Sequence, residues 1–440
     1  MNEPLTVREA PASYQVLLDS LRVRPGYKQT EAGVIPEDWE STNVNSLAAS
    51  VRNAIVGGPF GSDLVSLDYV DDGVPVIRGQ NMGERWLEGP FVFVTPKKAA
   101  LLEANLARPA DLVFTQRGTL GQVSLVPTSP HTHYLVSQSQ MKVTLNRDIA
   151  DPAFFHSWFS GDGGQKIIRL STIQTGVPHI NLGILRSIPV PRPPLPEQRA
   201  IAAALSDVDA LLAKLEQLIT KKRDLKQAAM QQLLTGQTRL PGFSGEWEVN
   251  RLGDVANFLK GKGLPKSALV PFGAEPCIHY GELFTRYPET IGMIISRTND
   301  SQNSFRSIEN DVLMPTSDVT PRGLAKASCV TVDDVILGGD ILVIRSDRKR
   351  VCGAFLSYVI RSEEEQVLQL VTGSTVFHLY GSDMKKFTFS MPFLPEQTAI
   401  ATVLSDMDAE LVAIEARRDK TRALKQGMMQ ELLTGRIRLV

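Results

Sequence analysis

The sequence predicts an α/β (α+β) protein: two globular domains joined by two long antiparallel coiled-coil helices, in a pseudo-two-fold, circular arrangement. Three observations carry this prediction. First, the 46-residue stretch beginning "LPEQRAIAAALSDVDALLAKLEQ" at Leu195 returns at Leu394 as "LPEQTAIATVLSDMDAELVAIEA" and aligns without gaps to Leu439, with 27 identical positions. Second, apolar residues inside both copies recur at alternating spacings of four and three. Third, the segments between the copies carry short β-rich runs broken by Gly, Pro, Asn and Asp turns.

The helices follow from local chemistry. Each copy opens with a proline (Pro196, Pro395), whose missing N–H costs nothing in a first turn, and then Glu-Gln, which puts an acid at the positive end of the helix dipole. Each closes at "LLTG", where Gly236 and Gly435 can take the left-handed conformation that ends a helix. Between these marks Ile201, Leu205, Val208, Leu212, Leu215 and Ile219 form one seam, and Ile400, Leu404, Met407, Leu411 and Ile414 form the other. The spacing is that of a coiled coil, and pairing the two seams covers both. The competing reading packs each stripe on its own neighbouring domain. A helix of about 38 residues spans about 57 Å, the length of a spacer.

The repeat reaches beyond the helices. "LLDSLRVRPGY" (Leu17 to Tyr27) matches "LLTGQTRLPGF" (Leu233 to Phe243) at its Leu-Leu, Pro-Gly and aromatic positions, and Trp39 in "DWE" answers Trp247 in "EWE". Residues 1–35 are therefore expected to complete the C-terminal half of the repeat, with the termini close in space. The remaining divisions are a first domain at 36–194, a central repeated helix at 195–240, a second domain at 241–393 and a C-terminal repeated helix at 394–440.

The domains share architecture more than residues. Runs such as "GVPVIRG", "DLVFTQRG", "SQMKVTL", "NDVLM" and "GDILVI" predict strands in a curved or barrel-like sheet. Landmarks recur in order: Asp111 with Asp311 before a strand, Phe155, Ser157 and Trp158 with Phe355, Ser357 and Tyr358 on a helix, then "TGVPHIN" at Thr175 with "TGSTVFHL" at Thr372. The domains diverge most where "FTQRGTLG" meets "MPTSDVTPRGLAK", which blocks residue-by-residue transfer between them.

Composition excludes several functions. A net charge of -1 rules out a chain coated in basic residues, so any contact with nucleic acid is local; residues 101–200 do lean positive. Cys277, Cys329 and Cys352 show no C-x-x-C spacing and read as buried free thiols. No run approaches the ~18 apolar residues of a membrane span, and the start of the chain lacks the order of a secretory signal, so the cytoplasm is expected. A phosphate loop is absent, because "FLKGKG" has Ala256 where the first glycine belongs. H-E-x-x-H, G-x-S-x-G and the Asn-Pro-Pro-aromatic tetrapeptide of amino-methyltransferases are also absent. "GDGG" at Gly161 is a turn signal, His131 and His133 lack a third metal ligand, and Asp383-Met384-Lys385 is a stray acidic-x-Lys pattern. No catalytic residue, metal or cofactor is expected.

Two dissimilar domains alternating with two "LPEQ...LLTG" helices resemble the specificity subunit of a type I restriction-modification system. The resemblance covers the whole chain and includes "GYKQTEAGVIPEDWE", "VIRGQNM", "DLVFTQRGTLGQVSLV", "VSQSQMKVTL", "SIPVPRPPLPEQ" and "IHYGELFTRYPE". It implies two target recognition domains, each reading one half of a split, asymmetric double-stranded DNA sequence, with the paired helices setting the gap. One major-groove face recurs about every 34 Å, so such a rod suits readers one helical turn apart. Two methyltransferase (modification) subunits and two restriction (translocase-nuclease) subunits are the implied partners and supply the adenine methylation and cleavage.

Candidate readers follow from base chemistry, in which Arg pairs with guanine and Asn or Gln with adenine. In the first domain these are Arg78, Gln80, Asn81, Arg117 and Thr119; in the second, Tyr280, Thr316, Ser317, Arg322 and Lys326. Each competes with a solvated surface residue or a phosphate contact without sequence information. Arg345, Arg348, Lys349 and Arg350 read as phosphate-positioning or solvated, and "KKRDLK" at Lys221 as cations suited to a helix C-terminal end. A rival function is a coiled-coil scaffold whose two α/β heads bind protein or carbohydrate. Another is a self-sufficient nuclease, against which the motif search stands.

Overall fold

The computed structural model describes residues 23–174 and 177–439. The chain divides into two compact units, Met1–Ala213 with Asp419–Val440, and Lys214–Arg418. The part of the N-terminal match from Leu17 to residue 22, and Thr175 and Gly176 of "TGVPHIN", lie outside the described residues.

In the first unit the hairpin β1 (Tyr27–Thr30) and β2 (Gly33–Pro36) leads to β3 (Glu40–Asn43). The chain then forms β4 (Ile55–Gly57), β5 (Tyr69–Val70), β6 (Val74–Ile77), β7 (Val92–Val94), β8 (Leu106–Ala107), β9 (Leu112–Thr115), β10 (Val123–Leu125), β11 (Tyr134–Val136) and β12 (Gln140–Val143). After helices α1 (Pro152–Ser160) and α2 (Asp162–Ser171), β13 (Pro189–Arg192) returns to pair with β3. Two sheets result, ordered β10-β9-β12-β4 and β5-β7-β6-β11-β8. The sequence leads one to expect a single curved sheet, but the short link Ser137–Ser139 carries the chain from β11 in one sheet directly to β12 in the other. Strands β6 and β9 are buried along their whole length, which is why "VPVI" and "LVFT" are unbroken runs with no polar alternation.

The second unit repeats the plan with other residues. Its strands are β14 (Glu248–Arg251), β15 (Ala256–Lys260), β16 (Leu269–Val270), β17 (Glu275–Ile278), β18 (Thr290–Ile291), β19 (Ser296–Thr298), β20 (Phe305–Arg306), β21 (Val312–Pro315), β22 (Ser317–Asp318), β23 (Ser328–Val330), β24 (Ile336–Leu337) and β25 (Ile341–Ser346). Helices α3 (Gly353–Ser362) and α4 (Glu364–Leu368) precede β26 (Phe377–His378) and β27 (Thr388–Met391), and β27 pairs with β14. The sheets run β23-β21-β25-β15, with β18 added beside β23, and β16-β19-β17-β24-β20. Apart from the added β18, which runs parallel to β23, this is strand for strand the order of the first unit, down to the parallel pair of β6 with β11 in one and β17 with β24 in the other. The landmark acids behave alike as well. Asp111 accepts from the Arg108 N–H and pairs with Lys142, and Asp311 accepts from the Ile308 N–H and takes both arms of Arg345.

The two repeats form single helices, Leu195–Leu233 and Leu394–Leu432, each followed by a glycine with positive φ, Gly236 at 73° and Gly435 at 68°. Of the seam, Ile201, Leu205, Leu215, Ile219, Ile400, Leu404 and Leu411 are buried; Val208, Leu212, Met407 and Ile414 are half-buried. In the first unit Ile201 and Leu205 share a core with Leu432, Leu433, Trp39 and Phe154. In the second, Ile400 and Leu404 share one with Met230, Leu233 and Phe355.

Polar residues of the repeat do the same work twice. Glu197, fully buried, accepts both arms of Arg438 at 2.6 and 2.8 Å and the Trp39 indole N–H at 3.0 Å. Glu396 accepts both arms of Arg239 at 2.5 Å, and the guanidinium lies over Trp247. Gln198 caps the Asp151 N–H while donating to Ile149 and Pro193; Gln397 caps the Cys352 N–H while donating to Arg350 and Pro392. Pro-Glu-Gln is thus a docking motif as well as a helix start. The cations near Lys221 answer acids on the C-terminal helix: Lys222 with Glu410, Arg223 with Glu415, and Lys226 with Asp408. Lys425 pairs with Asp209 in the first unit in the same way. Burial alone would raise the Glu289 carboxyl, but Arg361 and Lys226 beside it hold it below the ordinary carboxylate range.

A buried histidine marks the first unit. His156 on α1 has its Nε2 3.1 Å from the Glu84 carbonyl and 3.2 Å from that of Val123, so Nε2 carries the proton and donates. Burial, then Arg85 and Lys425, push its pKa down to about 4.

Two predictions follow from this packing. Double-mutant cycles on Glu197–Arg438 and Glu396–Arg239, read by urea unfolding, should give coupling energies above about 1.5 kcal/mol. A cycle on the exposed Lys222–Glu410 pair should stay below about 1 kcal/mol, and equal couplings would refute the distinction. Because the unfolded imidazole takes a proton below its ordinary 6.5 and the folded one does not, wild-type stability should fall as pH drops from 6.5 to 5. The slope from this one group approaches about 1.4 kcal/mol per pH unit, and His156→Gln should flatten it.

Candidate nucleic-acid interface

In the first unit four of the five predicted residues gather around one turn. The Ser137–Gln140 link receives three neighbouring loops. Gly58 donates to the Gln140 carbonyl, and a Cβ there would come 2.0 Å from the Ser137 oxygen, so only glycine lets the chain pass. The loop after β9 docks through the Gln116 N–H on Ser139 at 2.7 Å, leaving Arg117 and Thr119 exposed. The loop after β6 brings Arg78 and Gln80, with Gly79 beside the Gln140 side chain. Gln80 is exposed at its tip, whereas Arg78 is half-buried with its Nε lacking a hydrogen-bond partner among the described residues.

Asn81 is the exception. It is 1 % exposed, accepts from the Arg78 N–H and donates to the carbonyls of Glu88 and Pro90, so its amide edge is already occupied. It fastens the loop that presents Gln80 and has no free edge for a base.

In the second unit Thr316 and Ser317 continue from β21, and Ser317 pairs with His378 across β22 and β26. Tyr280 follows β17, its ring 4.6 Å from His279 and 6.2 Å from Phe284. Arg322 pairs with Glu364 at 3.3 Å, and Lys326 is half-buried. Thr316 and Ser317 line a groove of about 980 Å³ together with Lys260, His378, Tyr380 and Lys385.

The backbone equates the two loops where the sequence could not. The Gln116 N–H donates to Ser139 and its carbonyl accepts from Ile180; the Thr316 N–H donates to Asp340 and its carbonyl accepts from Leu379. Arg117 bridges to His179 as Ser317 does to His378. Gln116 is therefore the partner of Thr316, and the chains diverge only beyond this point. Sequence reasoning did not single out Gln116, His179 or His378 as members of this arrangement. The signal was the matching spacing of His179 and His378 ahead of β13 and β27.

Several basic residues are committed elsewhere. Arg345 grips the buried Asp311 at 2.8 and 2.7 Å, which fits neither the phosphate-positioning nor the solvated reading of the sequence, while Arg348 lies near Glu309 and Asp333 at 3.6 and 3.8 Å. His131 packs against Phe91, Phe93 and Tyr134, and among the described residues no three His, Cys, Asp or Glu side chains could hold a metal. Cys277 and Cys329 are buried free thiols and Cys352 is half-buried; burial pushes Cys277 up to about 11. No helix among the described residues is long and apolar enough to cross a membrane.

Comparison with known proteins agrees with this geometry. The chain is 21% identical over 440 residues to the type I restriction enzyme MjaVIII specificity subunit of Methanocaldococcus jannaschii, covering 94% of this chain and 96% of that protein. It is 22% identical over 441 residues to the putative MjaX specificity subunit of the same organism, covering 96% and 99%. The crystal structure of a type I restriction-modification system S subunit from M. genitalium superposes with a TM-score of 0.58 at 14% identity, over 93% of this chain and 97% of that one. Residues 65–225 and 244–422 match the type I restriction modification DNA specificity domain, and the chain belongs to that family of specificity subunits.

Proposed function

We propose that this chain recognises a bipartite, asymmetric DNA target and directs adenine methylation and restriction by partner subunits, with no chemistry of its own. The observation that carries the reading is the shared strand order of the two units, with unlike side chains at the equivalent loop, Gln116-Arg117 in one and Thr316-Ser317 in the other. Two related scaffolds with different reading residues suit two different half-sites. Residues 36–194 and 241–393 are the target recognition domains in this reading, and residues 1–35 complete the C-terminal half of the repeat. The Tyr27 hydroxyl donating to the Gly435 carbonyl supports that completion.

The repeated helices, 195–240 and 394–440, act as an antiparallel coiled-coil spacer relating the two domains by a pseudo-two-fold axis in a circular arrangement. In support, pairs within each unit run in opposite senses along the two repeats: Lys226 with Asp408 and Arg223 with Glu415 in one, Glu197 with Arg438 and Asp209 with Lys425 in the other. A helix of 39 residues is about 58 Å long, enough to hold two readers a helical turn of DNA apart. Two methyltransferase and two restriction subunits bind the chain on double-stranded DNA in the cytoplasm, and no cofactor is needed for recognition itself.

Mapping modified adenines in the host genome by single-molecule sequencing tests the proposal: the marks should fall in a split motif with a constant gap, and a continuous or absent motif would overturn it. Inserting four residues into one long helix should alter the tolerated gap or abolish assembly while leaving both half-sites unchanged. Arg117→Ala should relax preference in the first unit's half-site alone, by about 1–3 kcal/mol at one base pair. An equal loss on every sequence would make Arg117 a phosphate contact.

A further inference from the structure

The groove beside Thr316 and Ser317 has a wall that no reading residue explains. Its floor is β15, and its far side is the segment from Tyr380 to Lys385. Gly381 is required for that approach: a Cβ there would lie 2.8 Å from the Phe258 Cβ on β15. Lys385 at the end of that segment and Lys260 at the end of β15 line the same groove. Both are exposed, and among the described residues Lys385 has no ion-pair partner, while Lys260 has only a long 3.6 Å pair with exposed Asp340. His378 and Tyr380, which also line the groove, stack with ring centroids 6.0 Å apart. Arg345 at the base is spent on Asp311.

We propose that the Lys260–Lys385 groove of the second unit binds the sugar-phosphate backbone of duplex DNA next to the half-site, setting the register of the reading loop without reading bases itself. This rests on the proposed recognition of DNA and adds a separate site to it. Two features favour phosphodiester over base edges, and a third shows a cation at the matching place of the other unit. Lysine is a flexible point charge that suits a phosphate oxygen and lacks the planar fork of a specific base contact. The groove is open and wide at about 980 Å³, and its hydroxyls from Tyr380 and Ser382 are neutral donors of the kind that line backbone contacts. The corresponding place in the first unit also ends in a cation. Arg186 stands in the last turn of the short helix Leu182–Ser187 as Lys385 follows Gly381–Met384, each just before the strand that closes its unit. Asp340 is the one acid facing the groove, and it moderates the attraction.

The test uses the full chain with its methyltransferase subunit and a duplex carrying the sequence mapped from the modified adenines. Affinity is measured across salt concentrations. Each phosphate neutralised contributes about 0.9 to the slope of log affinity against log salt, so Lys260→Ala with Lys385→Ala should lower the slope by about two. The mapped motif should not change, and the double Lys→Arg variant should keep the wild-type slope. Asp340→Asn should strengthen binding at low salt. An unchanged slope in a folded Lys260→Ala, Lys385→Ala protein overturns the groove while leaving sequence recognition intact, and so does a changed motif. If the wild-type complex shows no sequence-dependent, salt-sensitive retention of the duplex, both the recognition reading and the groove fail.

Discussion

Each unit depends on one buried carboxylate. Glu197 and Glu396 stand in the first turn of the two repeated helices, and each is held by an arginine from the tail of the other repeat, Arg438 and Arg239. An ionised carboxylate at zero or two per cent exposure is tolerable only when fully paired, because its desolvation costs several kcal/mol. A bidentate guanidinium meets that need and admits one geometry. The clasp therefore fixes where a helix begins relative to where its counterpart ends. An apolar seam cannot do this alone, since it is tolerant of sliding by a heptad. The neighbouring Gln198 and Gln397 extend the constraint into the globular parts, capping the N–H groups of Asp151 and Cys352 as α1 and α3 begin.

The two clasps are equal in plan and unequal in completeness. Trp39 donates its indole N–H to Glu197, and Arg438 also reaches Asp38, whereas the Trp247 N–H is buried without a partner among the described residues and Arg239 spends its third contact on the Gly245 carbonyl. The first clasp distributes one carboxylate over more donors. A duplicated chain can thus preserve geometry where docking demands it and let the surrounding hydrogen bonds drift. The same freedom appears in the ion pairs, where Asp209 receives Arg85 and Lys425 but Asp408 receives Lys226 and the Tyr358 hydroxyl.

Much of this was legible in the sequence, for identifiable reasons. Periodicity exposes helices, so the repeat and its glycine stops could be read directly, and runs such as "VPVI" and "ILVI" marked buried strands. The division into two sheets could not be read, because it depends on a three-residue link between β11 and β12 whose path is set by tertiary packing. Base-reading candidates were chosen by residue type, and type is silent about prior commitments. Asn81 and Arg345 have suitable chemistry and are already engaged, one by backbone carbonyls and the other by Asp311. Gln116 escaped notice for the opposite reason: its importance lies in backbone hydrogen bonds, which leave no trace in residue identity.

Backbone anchoring of the loops governs how such a chain could change what it recognises. The loop after β9 and the loop after β21 are anchored by main-chain groups, at Ser139 and Ile180 in one case and Asp340 and Leu379 in the other. Main-chain anchoring is indifferent to side chains, so Gln116-Arg117 and Thr316-Ser317 occupy equivalent positions with no shared chemistry. On the proposed function, substitutions at these positions alter base preference at little cost to folding, because the buried clasps and sheets that hold the loops lie elsewhere. Substitution at Glu197, Gln198 or their counterparts has the reverse character, removing docking that both reading loops require. Recognition and assembly are then carried by separate sets of residues within each unit, which is the physical condition for one to diverge while the other is kept.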